Sequence, residues 1–170
     1  MPATLWSVRT GRDRLDSQTR AALVTAARTA FSQLGYSRTT VADITERAEV
    51  SRATFYVYFA SKGDVFRVLT EQLRDEFLEA QRARTADRDD PVAVATATVS
   101  DFVDVYAANL AFITVLEHQA LTDTQLRALW LGIRERLLKR MIRFVQQLVA
   151  NGVAHPVAPP DEQLLHELRI

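Results

Sequence analysis

Apolar residues recur three and four residues apart in most segments of this chain, which is the spacing of an amphipathic helix. The first such stripe runs from Leu23 to Leu34. Asp16 or Ser17 is predicted to open its helix, and Gly35 is predicted to close it in a left-handed conformation. No segment shows the two-residue alternation of a strand, so the pattern predicts an all-α fold.

Two short helices joined by a tight turn are predicted between residues 40 and 60. Thr40 caps the first of them, and Asp43 provides the reciprocal half of a capping box. Glu49 and Val50 form the turn, and Ser51 caps the second helix because its hydroxyl can accept a backbone N–H. This order of elements is typical of a helix-turn-helix, whose second helix enters the major groove of DNA.

The second short helix combines buried aromatic residues with outward polar ones. Phe55 and Phe59 lie four residues apart and are predicted to face the core. The other faces then carry the residues predicted to read bases, which are Arg52, Ala53, Thr54 and Tyr56. Arg52 is the expected direct reader of guanine, whereas Ala53 and the Thr54 methyl group suit a thymine methyl group.

Residues near the helix starts are predicted to hold DNA phosphates, because a helix N-terminus carries partial positive charge and free backbone N–H groups. The predicted phosphate-binding residues are Thr39, Thr40, Ser51, Tyr58 and Lys62. Four arginines near the start of the chain are further candidates for contacts with the DNA backbone or minor groove: Arg9, Arg12, Arg14 and Arg20.

Charge is distributed unevenly along the chain, although the formal net charge is zero. Residues 1–62 hold nine Arg and Lys against five Asp and Glu, a net charge of +4, and residues 63–170 have a net charge of −4. A basic N-terminal third is typical of a part that binds phosphates. Because a chance fluctuation of surface charge could give the same balance, the charge supports the motif without replacing it.

Three segments of the chain resemble the DNA-binding domain of the TetR (tetracycline-repressor-like) transcriptional regulators. They are F-S-Q-L-G-Y-S-R-T-T-V-A-D-I, A-E-V-S-R-A-T-F-Y-V-Y-F and S-K-G-D-V-F, and the resemblance covers residues 17 to about 69. It implies a three-helix, homeodomain-like domain with the four predicted base readers at the family's base-reading positions. Two residues depart from the family pattern: Glu49 stands where Gly is usual, and Gly63 stands where an acidic residue is usual.

The predicted organisation is a flexible arm at 1–16, a helix-turn-helix domain at 17–61 and a helical ligand-binding and dimerisation domain at 62–170. Residues 85–90 are predicted to form a charged connector. The helices predicted in the last domain run from Lys62 to about Arg84, from Pro91 to about Ala108, from Asn109 to about Ala120, from Thr122 or Asp123 to Asn151, and from Asp161 onwards.

The resemblance implies that the second domain holds a small apolar or aromatic effector, whose binding releases the DNA. The candidate lining residues are Phe102, Tyr106, Phe112, Ile113, Leu116, His118, Trp130, Ile133, Leu137 and Met141. Each of them also fits ordinary core packing at helical spacing. Tyr106 and His118 are the stronger candidates, because a buried polar group needs a partner and can orient a ligand.

The resemblance also implies a homodimer on a palindromic DNA operator. TetR-like proteins usually pair through two long C-terminal helices, and here only the first of them is begun, at Asp161. We therefore expect that the sequence lacks a C-terminal segment. The alternative is a protein that ends at Ile170 and pairs in another way.

Several function classes find no support in the sequence. It holds no Gly-rich phosphate loop, no H-E-x-x-H and no G-x-S-x-G, so neither catalytic residues nor cofactors are predicted and the protein is not expected to be an enzyme. The three histidines lack metal-ligand spacing, and no cysteine is present. The sequence is predicted to hold no apolar run close to the roughly 18 residues that are needed to span a membrane.

The sequence thus predicts a cytoplasmic, TetR-like regulator of transcription, with repression as the expected outcome. The alternative is a helical protein-interaction adaptor, or a degenerate regulator that does not bind specific DNA.

Overall fold

The computed structural model describes residues 5–82 and 91–155, with side chains for residues 15–80 and 93–155 except residue 95. These residues form six helices: α1 Leu5–Leu34, α2 Val41–Arg47, α3 Arg52–Tyr58, α4 Lys62–Arg82, α5 Pro91–Ala120 and α6 Thr124–Ala150. The described residues contain no strand, and the all-α prediction is confirmed. The helix predicted from Asp161 and the whole predicted connector at 85–90 lie outside the described residues.

Two compact units make up the chain, and they divide inside α4, between Leu69 and Thr70. Unit 1 therefore contains α1, α2, α3 and the first turns of α4, whereas unit 2 contains the rest of α4 with α5 and α6. The sequence had placed a boundary earlier, between Ser61 and Lys62. The difference arises because apolar residues in the first turns of α4 belong to the core of unit 1.

The start of α1 differs from the prediction. The helix begins at Leu5 and not at Asp16 or Ser17, so residues 5–16 are helical and do not form a separate arm. No proline interrupts residues 5–34, so nothing in the sequence forces a later start. The carboxylate of Asp16, which was expected to cap the helix, instead accepts a hydrogen bond from the Tyr58 hydroxyl at 3.1 Å.

Aromatic packing forms the centre of unit 1. The ring of Phe31 meets that of Phe66 edge to face, with centroids 4.9 Å apart. Gly35 closes α1 with a φ of 78°, as predicted. The buried residues come from all four helices and from the residue that follows α3: Leu23, Ala27, Phe31, Ile44, Phe55, Phe59, Val65, Phe66 and Leu69.

Helices α5 and α6 form a hairpin in unit 2. Only three residues separate Ala120 from Thr124, and so short a loop joins antiparallel neighbours. Asp123 caps α6 by accepting the backbone N–H groups of Gln125 and Leu126, at 2.9 and 3.0 Å. The Arg127 guanidinium reaches back to the carbonyl oxygen of Ala120 at 2.9 Å and so caps the end of α5.

The break predicted at Asn109 is absent, because α5 runs unbroken from Pro91 to Ala120. Asn109 is buried, with 8% of its surface exposed. Its amide donates to the carboxylate of Glu76 at 2.9 Å and to the backbone carbonyl of Val105 at 3.0 Å. These partners satisfy the side chain inside a helix, so it does not need to cap one.

One stretch of α5 differs from the prediction that no apolar run approaches the length needed to span a membrane. Thr96–Ala120 has a mean hydropathy of 1.5 and is long and apolar enough to cross a membrane. One such helix is weak support for a membrane segment, because the core helix of a soluble domain passes the same test. The stretch also carries the carboxylates of Asp101, Asp104 and Glu117, which are costly in hydrocarbon.

Candidate nucleic-acid interface and ligand cavities

A closed capping box begins α2, as predicted. The Thr40 hydroxyl accepts the backbone N–H of Asp43 at 3.2 Å, and the Asp43 carboxylate accepts the backbone N–H of Thr40 at 2.7 Å. The hydrogen bonds that Thr40 donates to the carboxylate lower the pKa of Asp43. The turn after α2 places Glu49 at a φ of 54°, in the left-handed region that usually favours glycine.

Two phenylalanines anchor α3 in the core of unit 1. Phe55 is 0% exposed and Phe59 is 4% exposed, and their ring centroids lie 5.6 Å apart. The Ser51 hydroxyl caps the helix by accepting the backbone N–H of Thr54 at 3.0 Å. The predicted cap and the predicted buried pair are both confirmed, so α3 is a short helix with a fixed orientation in its unit.

The four predicted base readers lie on the remaining surface of α3. Arg52 and Ala53 are exposed, Thr54 is half-buried, and Tyr56 is 58% exposed. Their roles in reading bases stay predictions, and the structure leaves Arg52, Ala53 and Tyr56 exposed to solvent. Val57 was not singled out in the sequence, although it is 76% exposed and could also meet a thymine methyl group.

Thr39 is placed where it cannot hold a phosphate with its side chain. It is 0% exposed, and its hydroxyl donates to the backbone carbonyls of Gly35 and Ala30, at 2.7 and 3.2 Å. The predicted phosphate contact is wrong for this hydroxyl, because its single hydrogen serves the end of α1. Thr40 and Ser51, by contrast, are exposed at the starts of α2 and α3.

The ammonium of Lys62 is bound within unit 1. It donates to the carbonyl oxygens of Tyr36 and Thr39, both at 2.8 Å, and of Ser37 at 3.4 Å. It also lies 4.6 Å from the centroid of the Tyr36 ring. Burial lowers the pKa of Lys62. An ammonium has three donors, and three carbonyls take them here, which argues against the predicted phosphate contact.

Tyr58 is half-buried, and its hydroxyl donates to Asp16 as described above. Burial, followed by the hydrogen bond to Asp16, raises the pKa of Tyr58. One turn further along α1, the Arg20 guanidinium lies 5.3 Å from the centroid of the Phe59 ring. The side chains of Arg9, Arg12 and Arg14 lie outside the described residues.

Two cavities lie along the α5–α6 hairpin. One, of about 410 Å³, is near the turn and includes Trp130 and Leu131 in its lining. The other, of about 380 Å³, is at the open end of the hairpin. Its lining residues come from both helices and are Val94, Thr98, Val99, Arg140, Met141, Arg143, Phe144, Val145, Gln147 and Leu148.

Among the described residues, the predicted ligand residues divide between these two cavities, an aromatic cluster and the core. Trp130 lines the first and Met141 the second. Phe102 and Tyr106 are half-buried, and the Phe102 ring centroid lies 5.2 Å from that of Phe77 and 6.3 Å from that of Tyr106. His118 is exposed, so the expectation that it is a buried polar group is wrong. The others are core residues with at most 8% of their surface exposed: Phe112, Ile113, Leu116, Ile133 and Leu137.

A family described as "Bacterial regulatory proteins, tetR family" matches residues 23–69, which lie inside unit 1. The regulator TtgR of Pseudomonas putida is 37% identical over 76 residues, which make up 44% of this chain and 36% of that protein. The chain therefore spans little more than a third of that relative. The regulator YfiR of Bacillus subtilis is 26% identical over 152 residues and is covered over 70% of its length.

Solved structures share the fold of the chain at low sequence identity. The fatty acid degradation regulator FadR from Bacillus halodurans is 18% identical, with a TM-score of 0.70 over 89% of this chain and 80% of that one. PfmR from Thermus thermophilus is also 18% identical, with a TM-score of 0.69 over 81% of this chain and 76% of that one. All of these proteins are regulators, which supports the prediction that the chain is not an enzyme.

Proposed function

We propose that this chain, whose residues 23–69 match the TetR family of transcriptional regulators, is such a regulator and binds double-stranded DNA with α3 in the major groove. The observation that carries this proposal is the construction of α3. Phe55 and Phe59 are buried beneath it, while Arg52, Ala53 and Tyr56 are exposed on its other sides. A helix anchored in this way can enter a groove without first reorganising.

Base reading follows from the chemistry of the exposed side chains. Arg52 can donate two hydrogen bonds to O6 and N7 of guanine, which is the commonest specific contact of this kind. Ala53 is short enough to let the backbone approach the bases, and the Thr54 methyl group suits a thymine methyl group. Tyr56 offers a hydroxyl and an exposed ring at the same surface.

Phosphate binding is assigned to a smaller set than the sequence predicted. Thr40 and Ser51 are exposed at the starts of α2 and α3, and the Thr40 hydroxyl, which donates to Asp43 in the free protein, would turn its hydrogen to a phosphate on binding. Tyr58 presents a phenol at the end of α3. Such contacts fix the register of a protein on DNA and carry no sequence information. The net charge of +4 in residues 1–62 supports this assignment.

The remaining parts of the proposal concern regulation. A recognition helix of seven residues makes a small interface, and pairing of two chains on a palindromic operator would double it. We propose a cytoplasmic homodimer that represses transcription. A small apolar effector would release it from DNA, and the cavity of about 380 Å³ between α5 and α6 has the size and the apolar lining for such a molecule.

The test is a titration of the protein against duplexes from the region upstream of its gene, at several salt concentrations. We expect one duplex with an inverted repeat to bind tightly and the affinity to fall steeply with salt. The blocking variant is Ala53→Glu, which puts a carboxylate on the exposed side of α3. The matched control is Ala111→Glu, at an exposed position of α5 in unit 2.

We expect Ala53→Glu to abolish specific binding and Ala111→Glu to leave it unchanged. If both variants bind as the wild type does, α3 is not the reading element. If no duplex is bound, or if the affinity for duplexes does not fall with salt, the DNA-binding proposal fails. A protein-interaction adaptor then becomes the better description.

A further inference from the structure

A hydrogen bond joins α1 to the last residue of α3. The Tyr58 hydroxyl donates to Oδ1 of Asp16 at 3.1 Å, across 42 residues of sequence. Asp16 is exposed, and both residues belong to unit 1. The contact therefore lies at the surface, at one end of the helix that carries the predicted base readers.

The Tyr58 phenol has only one hydrogen to donate. While that hydrogen is bonded to the Asp16 carboxylate, it cannot also be bonded to a phosphate oxygen. A carboxylate has the same negative charge as a phosphodiester, so it competes for the same donor and repels the DNA strand that Tyr58 would contact. The two acceptors are therefore mutually exclusive at this hydroxyl.

We propose that Asp16 competes with a DNA phosphate for the Tyr58 hydroxyl and so lowers the affinity of the interface. The proposal rests on the DNA-binding function proposed above. When DNA binds, the Tyr58 hydroxyl turns from Asp16 to the phosphate, and water hydrates the exposed Asp16 carboxylate. The packing of Arg20 on Phe59 keeps α1 against the end of α3 while this exchange takes place.

This arrangement makes Asp16 a determinant of affinity that lies outside the helix-turn-helix. A residue with a purely structural role would act in the opposite direction, because its loss would loosen α3 and weaken binding. The sign of the change in affinity therefore separates the two roles.

The experiment measures the dissociation constant of the full chain on one duplex, for the wild type, Asp16→Asn, Tyr58→Phe and the double variant. Asparagine keeps the shape of the side chain and removes its charge. Because one exchanged hydrogen bond changes an equilibrium by about two- to tenfold, Asp16→Asn should tighten binding by that factor. Tyr58→Phe should weaken it, and adding Asp16→Asn to Tyr58→Phe should have little further effect.

A control variant separates competition from general charge. Glu46→Gln removes the same charge from an exposed position of α2 in the same unit and should tighten binding less than Asp16→Asn. The proposal is overturned if Asp16→Asn weakens binding or leaves it unchanged, or if it tightens binding equally in the Tyr58→Phe background. If the wild type binds no duplex, the proposed function itself has failed and this inference with it.

Discussion

Lys62 donates to the backbone carbonyl of Thr39 at 2.8 Å, and this hydrogen bond ties the first residue of α4 to the residue before the cap of α2. The same ammonium binds the carbonyls of Tyr36 and Ser37 and lies over the Tyr36 ring. Lys62 thus holds the loop between α1 and α2 in shape. That loop leads into α2, the first helix of the helix-turn-helix.

Lys62→Met should destabilise unit 1 by about 2–3 kcal/mol, because it leaves carbonyl oxygens without their charged donor. Methionine keeps an unbranched apolar stem over Tyr36, so the change tests the ammonium alone. Urea unfolding of the full chain measures the effect, and Lys139→Met, at an exposed site on α6, is the control. A variant that keeps full stability while its DNA affinity depends less on salt would restore the phosphate contact predicted from the sequence.

Arg52→Ala should weaken binding to the operator by about 1–3 kcal/mol and relax the preference at one base pair of each half-site. The expected reason is the loss of two hydrogen bonds to one guanine. The measurement is a titration against duplexes that vary each base pair in turn. Arg136→Ala, at an exposed position of α6, is the control. Equal weakening on every sequence would assign Arg52 to the phosphates.

The capping box makes the stability of unit 1 depend on acid pH. Hydrogen bonds from Thr40 lower the pKa of Asp43 from its ordinary value of 3.8, so the folded state binds this proton less tightly than the unfolded chain does. The stabilisation is complete above pH 3.8 and is lost as the pH falls through the lower, folded pKa. Asp43→Asn should therefore lose less free energy of unfolding than the wild type does over this range.

Unfolding by urea at a series of pH values gives that comparison. Thr40→Val removes the hydroxyl that donates to Asp43 and should likewise reduce the dependence on pH. If all three proteins lose the same free energy of unfolding between neutral and acid pH, the capping box is not the source of the acid sensitivity.

Glu49→Gly should stabilise unit 1 by about 1 kcal/mol, because a left-handed backbone strains any residue with a β-carbon. The φ of Glu49 is 54°. The greater freedom of glycine in the unfolded chain subtracts from this gain. Glu49→Val, with a branched β-carbon, should destabilise the unit, and thermal unfolding compares both variants with the wild type. A valine variant as stable as the glycine variant would contradict the expected strain.

Features set by neighbours in sequence were predictable here. The Thr40–Asp43 box, the left-handed end of α1 at Gly35 and the buried Phe55–Phe59 pair each depend on residues within about one helical turn. Helical spacing also identified much of the core. It could not show which apolar residues border a cavity, because core and lining residues have the same spacing.

Features set by distant partners were missed. Tyr58 finds Asp16 across 42 residues, and Lys62 finds Thr39 across 23. Asn109 continues a helix that its residue type would more often cap, because Glu76 lies within hydrogen-bonding distance of it. Tyr58 and Lys62 were each predicted to donate to a phosphate, and the fold shows that each donates to an acceptor of the protein itself.

The turn of the α5–α6 hairpin has a consequence for the order in which the chain folds. The residues that seal it, Asp123 and Arg127, lie within seven positions of the carbonyls and N–H groups that they bind. Contacts between close neighbours form faster than contacts between distant ones. We expect this turn to fold during translation, as soon as its own residues have emerged from the ribosome. The rest of α5 and α6 would then become helical outward from the turn.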